Sequence, residues 1–275
     1  MTYDEIYPGR ETENFSLFRV IEDPVSRWHN VVHTYSRLKL THESDRLPAV
    51  AAIVERETRL RQDDTYIAGM WTSCLPTDLL WSPDWGARNP LPRSQNCSPT
   101  WAWPSSKVRV DWLNSKTVVP SLRLVDLSFT RVGPTHVGEV MDANITLEGH
   151  TYMIRLKKLC GLGYRDLNSC IEMVSPLYQD VEIHKGYACV DFDWNTGDWP
   201  VAVGDTFLVM PISLCSYYPP IYVGIILREV TDGIFEKMGV LGIETIHYSK
   251  MPDEERYQIL DDFLETLPIR QVKII

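Results

Sequence analysis

Hydrophobic positions recur at helical spacing in the first third of the chain and alternate along much of the rest. Asp23-Pro24 reads as a helix cap followed by proline in the first turn. Trp28, Val31, Val32, Tyr35 and Leu38 then place one apolar stripe on a helix of about four turns. Ser44 opens a second helical pattern through Val50, Ile53, Val54 and Leu60, with Pro48 confined to its first turn. A third, shorter helix is predicted around Asp78 to Trp81. Residues 1–22 show little periodicity and read as an arm. Between Trp81 and Pro104, Pro83, Pro90, Pro92, Pro99 and Pro104 break any regular element, while Trp81, Trp85, Trp101 and Trp103 supply large apolar surface. That combination predicts a long ordered loop anchored by rigid aromatic rings.

The remainder reads as strands. Val108-Arg109-Val110 starts it, and Leu122 to Thr130 alternates in Leu122, Leu124 and Leu127. Val137 to Leu147 and Tyr152 to Leu156 flank Glu148-Gly149-His150, which reads as a hairpin turn. Tyr187 to Phe192, Thr206 to Leu214 and Ile221 to Val230 follow, and Thr231-Asp232-Gly233 turns the chain into Ile234 to Ile243. A last helix begins at Pro252 and carries Tyr257, Leu260, Phe263, Leu264 and Leu267 on one face. The fold class expected is α+β and β-rich: an antiparallel sandwich or barrel of about eight strands, with N-terminal helices and a C-terminal closing helix. The organisation expected is an arm (1–22), a helical lobe with the tryptophan-rich loop (23–104) and a β-rich lobe (105–275), sharing one core.

Composition narrows the function classes. With 27 Lys+Arg against 37 Asp+Glu the 275-residue chain has a formal charge of −10, which argues against nucleic acid as the main partner. No apolar run approaches the roughly 20 residues of a membrane span, and the acidic N-terminus lacks the features of a signal peptide. The expected location is the cytoplasm. The six cysteines, Cys74, Cys97, Cys160, Cys170, Cys189 and Cys215, contain no C-x-x-C pair, so thiols are expected rather than disulfides or zinc ligands. Nine tryptophans are the unusual feature, and they cluster.

Several segments in order carry a resemblance. Trp28, the run Tyr35-Ser36-Arg37-Leu38-Lys39-Leu40-Thr41 and then Asp45-Arg46-Leu47-Pro48-Ala49 match the "W…YS-R-LT…D-LPA" stretch of fungal heterokaryon incompatibility (HET) proteins. Tyr66-Ile67-Ala68-Gly69-Met70-Trp71 and Leu79-Leu80-Trp81 follow suit. Ser98-Pro99-Thr100-Trp101-Ala102-Trp103-Pro104-Ser105 is similar to the "APSWSWAS" segment of that family, with Thr100 and Pro104 as departures. Gly138, Gly149 and the Tyr222-to-Gly239 hairpin also fit. The resemblance spans roughly residues 24 to 245 and concerns the region downstream of the HET effector domain, the part that carries cell-death activity in nonself recognition. It implies a stand-alone descendant of that region, or a piece of a longer protein, and carries over no catalytic residue of the effector domain.

No nucleotide-binding glycine motif, H-E-x-x-H or G-x-S-x-G is present, and no metal, nucleotide or flavin cofactor is expected. His29 and His33 stand one helical turn apart but lack a third metal ligand nearby in sequence. Trp71, Trp81, Trp101 and Trp103 are either core anchors or the walls of an aromatic pocket. Asp180, Glu182 and His184 alternate, so a strand would present them on one face; a carboxylate beside a histidine is an acid–base pair. The bland alternative is a solvated edge strand. Asp191 and Asp193 share a face beside Trp194, although Asp193 also suits a turn cap. Tyr218, next to Tyr217, is a phenol able to donate to a carbonyl, and Arg131 with His136 is able to hold an anionic group. The expectation drawn from these features is a protein that binds a small apolar or aromatic fungal metabolite and acts as a cofactor-independent cyclase, isomerase or dehydratase of secondary metabolism. Its catalytic candidates are His184, Asp193, Asp191, Glu182 and Tyr218, and its ligand-binding candidates are Trp71, Trp81, Trp101, Trp103, Trp194 and Arg131. The alternative is a non-enzymatic regulatory or interaction module of nonself recognition.

Overall fold

Asp23 caps the first helix as its place before a proline predicts. In the computed structural model, which describes residues 23–83, 98–112, 117–157, 171–174, 183–191, 200–215, 221–245 and 253–275, its carboxylate accepts from Val25 N at 3.3 Å and Ser26 N at 3.0 Å. The Ser26 hydroxyl adds a third bond and holds the Asp23 carboxyl below its ordinary value. Helix α1 (Pro24–Ser36) buries Trp28, Val32, His33 and Ser36. Two short 3-10 turns, Glu43–Arg46 and Pro48–Val50, lead into α2 (Ala51–Leu60), so Pro48 lies ahead of the α-helix rather than in its first turn. Arg27 grips Glu57 with Nε and Nη2 at 2.8–3.0 Å and ties α1 to α2 through a bidentate pair.

Next come two very short strands, β1 (Tyr66–Ile67) and β2 (Met70–Trp71), joined by Ala68 (φ 50°) and Gly69 (φ 90°). Two successive left-handed residues make a tight two-residue turn whose twist matches paired strands. Asp64 clasps the base of this hairpin. It accepts from Thr65 N (2.9 Å), Thr72 Oγ1 (2.9 Å), Ser73 N (3.0 Å) and Ser73 Oγ (2.5 Å). Burial opposes ionisation of Asp64, but these bonds outweigh it and hold the carboxyl below the usual aspartate range. Its stabilising contribution is therefore complete above the unfolded value near pH ~4 and is lost as pH falls through the lower folded value. Asp64→Ala is expected to cost about 2 kcal/mol at pH 7 in urea unfolding, and progressively less in the same measurement repeated toward pH 3.

Helix α3 covers Leu75–Asp78, about one turn ahead of the predicted span from Asp78 to Trp81, and Trp81 already belongs to β3 (Trp81–Pro83). The strand β4 (Val110–Trp112) pairs with β3. The other strands form one large, mostly antiparallel sheet: β5 (Thr117–Val118), β6 (Arg123–Arg131), β7 (Val140–His150), β8 (Tyr152–Leu156), β9 (Ile171–Met173), β10 (Ile183–Val190), β11 (Thr206–Cys215), β12 (Ile221–Thr231), β13 (Ile234–Thr245) and β14 (Ile269–Ile274). Its main path runs β6-β7-β14-β13-β12-β11-β8-β9, with β10 added along β13 and β5 along β11. The two ends of the path do not pair, so the sheet is open rather than closed into a cylinder.

Two expectations change here. Glu148, Gly149 and His150 are not a hairpin turn; β7 runs straight through them and pairs them with Gln271, Arg270 and Ile269 of β14. The following strand, β8, leaves for the other side of the sheet beside β11. The last helix, α4 (Asp253–Thr266), does not end the fold either, because β14 follows it and inserts between β7 and β13. The α4 face is as predicted, with Leu260, Phe263, Leu264 and Leu267 buried, and Phe263 meets Tyr152 edge-on at 6.0 Å. The turn at Thr231-Asp232-Gly233 is present, with Gly233 at φ 71° between β12 and β13. One contiguous set of buried residues runs from Trp28 and Val54 in the helices to Ile274 in β14. Residues 1–22 and 84–97 lie outside the described residues.

Candidate functional site

The tight turn at Ala68-Gly69 organises the aromatic residues. Its Gly69 carbonyl accepts from the indole N–H of Trp28 (3.2 Å) and from that of Trp103 (2.7 Å). Trp28 meets Tyr66 at 5.5 Å and Trp71 at 6.2 Å, both edge to face, and Tyr66 leans on Trp71 at 5.1 Å. Arg61 lies over the Trp71 ring at 4.7 Å and Arg46 over Trp103 at 5.9 Å. The Arg46 guanidinium donates to the carbonyl of Ser106 and is held below its ordinary pKa by burial. Burial likewise pushes the Tyr66 phenol well above its ordinary range. Trp71, Trp81, Trp101 and Trp103 each have 0% exposure.

A second cluster joins Trp81 to the only described member of the Asp191–Asp193 pair. The Lys237 ammonium, fully buried in β13, donates to Asp191 Oδ2 at 2.6 Å and to the Trp81 carbonyl at 3.0 Å. It also sits 3.7 Å from the centre of the Trp81 ring. Behind it, Trp81 Nε1 donates to the carbonyl of Trp101 at 2.7 Å, and the Lys237 amide donates to Thr100 Oγ1 at 3.0 Å. The motif segment Ser98–Ser105 is thus stitched to β3 and β13. With a carboxylate, a carbonyl and a ring face around it, the ammonium has a full set of neighbours without water. Asp191 is 3% exposed, so the pair is sealed.

The third cluster lies at α1. His29 Nε2 hydrogen-bonds Asp78 Oδ1 at 2.7 Å. The imidazole stacks on Trp112 at 4.2 Å, nearly parallel, and Trp112 Nε1 donates to the Asp78 carbonyl at 3.0 Å. Burial raises the Asp78 carboxyl above its ordinary value, while the His29 bond works in the opposite direction. One turn along the helix, His33 Nδ1 donates to the carbonyl of Val110 at 3.2 Å, and Arg109 donates to its other nitrogen. The two histidines therefore serve separate hydrogen-bond networks. Among the described residues, no group of three or more His, Cys, Asp or Glu has the arrangement of a metal site.

The candidate residues consequently fall in different places. Trp103 donates to the Gly69 carbonyl and Trp71 packs on Trp28 and Tyr66, while Trp81 and Asp191 touch Lys237 and the Trp101 carbonyl accepts from Trp81. Arg131 lies on the edge strand β6 with its guanidinium 5.2 Å from the Phe129 ring. His184 is the register partner of Glu244 in the β10–β13 pairing. Glu182, Asp193, Trp194 and Tyr218 lie outside the described residues. Sequence reasoning missed Lys237 and the His29–Asp78 link. A lysine set among Phe235, Met238 and Val240 is a usable signal, because a strand buried on both faces admits a charge only with a partner.

A cleft of about 280 Å³ opens between Ser98, Pro99, Thr100, Asp142, Ala143 and Ile275, and no aromatic side chain lines it. Among the described residues no helix is long and apolar enough to cross a membrane. Comparison with protein families, with characterised proteins and with solved structures finds no match for this chain.

Proposed function

We propose that this chain is a non-enzymatic interaction module, akin to the region downstream of the HET effector domain and working in fungal nonself recognition by binding another protein. The observation that carries this reading is the complete burial of Trp71, Trp81, Trp101 and Trp103. Residues that would wall an apolar pocket are spent on the core: the indole N–H groups of Trp103 and Trp81 donate to the carbonyls of Gly69 and Trp101, the rings of Trp71 and Trp81 carry Arg61 and Lys237, and the N–H groups of Trp71 and Trp101 are buried without a hydrogen-bond partner among the described residues. The described cleft supports the same reading, since an open hollow of about 280 Å³ with no aromatic side chain in its lining suits a polyene or terpenoid poorly. Lys237 and Asp191 act as a structural clamp, because a group closed off from substrate cannot exchange a proton with it.

The test has two arms on the purified protein. In one, a set of apolar polyenes, polyketides and terpenoids is incubated with it and followed by mass spectrometry; no conversion is expected. In the other, a displayed library of extended peptides is panned against it, and specific binders are expected. Turnover of any metabolite in the first arm would replace this reading with the cyclase or isomerase one.

A further inference from the structure

Among the described residues two long strands of the sheet pair on one side only, β6 with β7 and β10 with β13, and β6 is the longer of the two. Strand β6 stands at the end of the main path and pairs with β7 alone, over nine residues. Among the described residues, none of 123–131 makes a main-chain hydrogen bond on the side away from β7. Its outward N–H and C=O groups are therefore a template for another extended chain. The opposite end of the path, β9, has only three residues.

The apolar side of β6 is also unfinished. Leu124, Leu127 and Phe129 pack against the core but are only half-buried, while six of the nine residues, Arg123, Val125, Asp126, Ser128, Thr130 and Arg131, are exposed. A strand laid alongside would complete the burial of those three side chains and satisfy the backbone together. Protective devices are incomplete: β6 contains two register shifts, Leu124/Asp126 and Ser128/Thr130, but no lysine and no proline.

We infer that the β6 edge is the docking site, and that it takes an extended peptide segment of a partner protein bearing an acidic residue opposite Arg131. This deepens the interaction-module reading and rests on it. Charge chooses the occupant. Arg123 is already paired with Glu148, whereas Arg131 rests on Phe129 and makes no ion pair among the described residues. A second copy of this chain fits badly, because antiparallel self-pairing centred on Leu127 sets Arg123 against Arg131.

The probe is a synthetic nonapeptide alternating valine and threonine with glutamate at each end, compared with a lysine-ended version and a backbone N-methylated version. Binding is followed by amide hydrogen exchange of the full chain. The glutamate peptide is expected to slow exchange across residues 123–131 by about tenfold or more at saturation. The lysine-ended peptide should bind roughly three- to fivefold more weakly, and Arg131→Glu should reverse that preference. N-methylation should abolish binding. Equal binding of the N-methylated peptide, or concentration-dependent dimerisation that protects the same residues, overturns the inference. Protection mapped to another surface overturns the β6 site while leaving the interaction-module reading intact, whereas metabolite turnover removes that reading itself.

Discussion

Lys237→Met is expected to destabilise the protein by about 3–5 kcal/mol, lowering the melting temperature by roughly 10 °C. The substitution keeps most of the volume and removes the charge, so the loss measures an Asp191 carboxylate stranded in a sealed site. Asp191 has its Oδ2 at 2.6 Å from the ammonium, and its own amide donates to the carbonyl of Met238 at 3.0 Å, so the backbone holds it in place. Asp191→Leu alone strands the lysine and should cost a similar amount. Combining Lys237→Met with Asp191→Leu removes both charges, and the double variant should recover to within about 2 kcal/mol of the parent, because desolvation of the pair cancels much of its attraction. Urea unfolding of the four proteins gives the coupling energy directly. A loss below about 1 kcal/mol for Lys237→Met would show that the pair is hydrated and reachable, contrary to its burial.

The second large effect belongs to Gly69. An alanine there meets two obstacles at once. The backbone is at φ 90°, where an L side chain is strained by about 1–2 kcal/mol. The added Cβ would also stand 2.6 Å from Trp103 Nε1 and 2.9 Å from Pro104 Cγ, both atoms of rings that cannot swing aside. Overpacking of this kind adds about 1–3 kcal/mol, so Gly69→Ala should cost roughly 3–4 kcal/mol in total. Gly233 supplies the control. It has φ 71° but nothing within 4 Å of a built Cβ, so Gly233→Ala should show the backbone cost alone, about 1–2 kcal/mol. Paired urea titrations read by tryptophan fluorescence separate the two. Equal losses would mean that Trp103 is not fixed against the turn.

Local signals in the chain were legible wherever one residue type had one strong role. The Asp23-Pro24 cap, the Trp28–Val32 stripe, the Thr231-Asp232-Gly233 turn and the α4 face all follow from short-range chemistry. The failures are long-range. Glu148-Gly149-His150 looks like a turn because glycine follows a charged residue, yet β14, more than a hundred residues later, turns it into paired strand. The alternation of Val272 and Ile274 that marks β14 spans only six residues after a clear helix, too short to stand out against it. A sheet edge is likewise invisible in one dimension, since β6 alternates much as an inner strand would. The tryptophan motifs single out residues that the structure buries together, but whether an indole fills a core or walls a pocket is decided by neighbours such as Gly69, Arg61 and Lys237, which periodicity does not reveal.

That distinction can be measured on the rings themselves. Protein labelled with 5-fluorotryptophan gives one fluorine resonance per indole, and single Trp→Phe variants assign those of Trp71, Trp81, Trp101 and Trp103. Titration with the polyene, polyketide and terpenoid set should leave all four unmoved, because no ligand reaches a buried ring whose faces are already packed. A saturable shift of any of them, accompanied by conversion of the compound that causes it, would contradict the account and make the aromatic cluster a catalytic pocket.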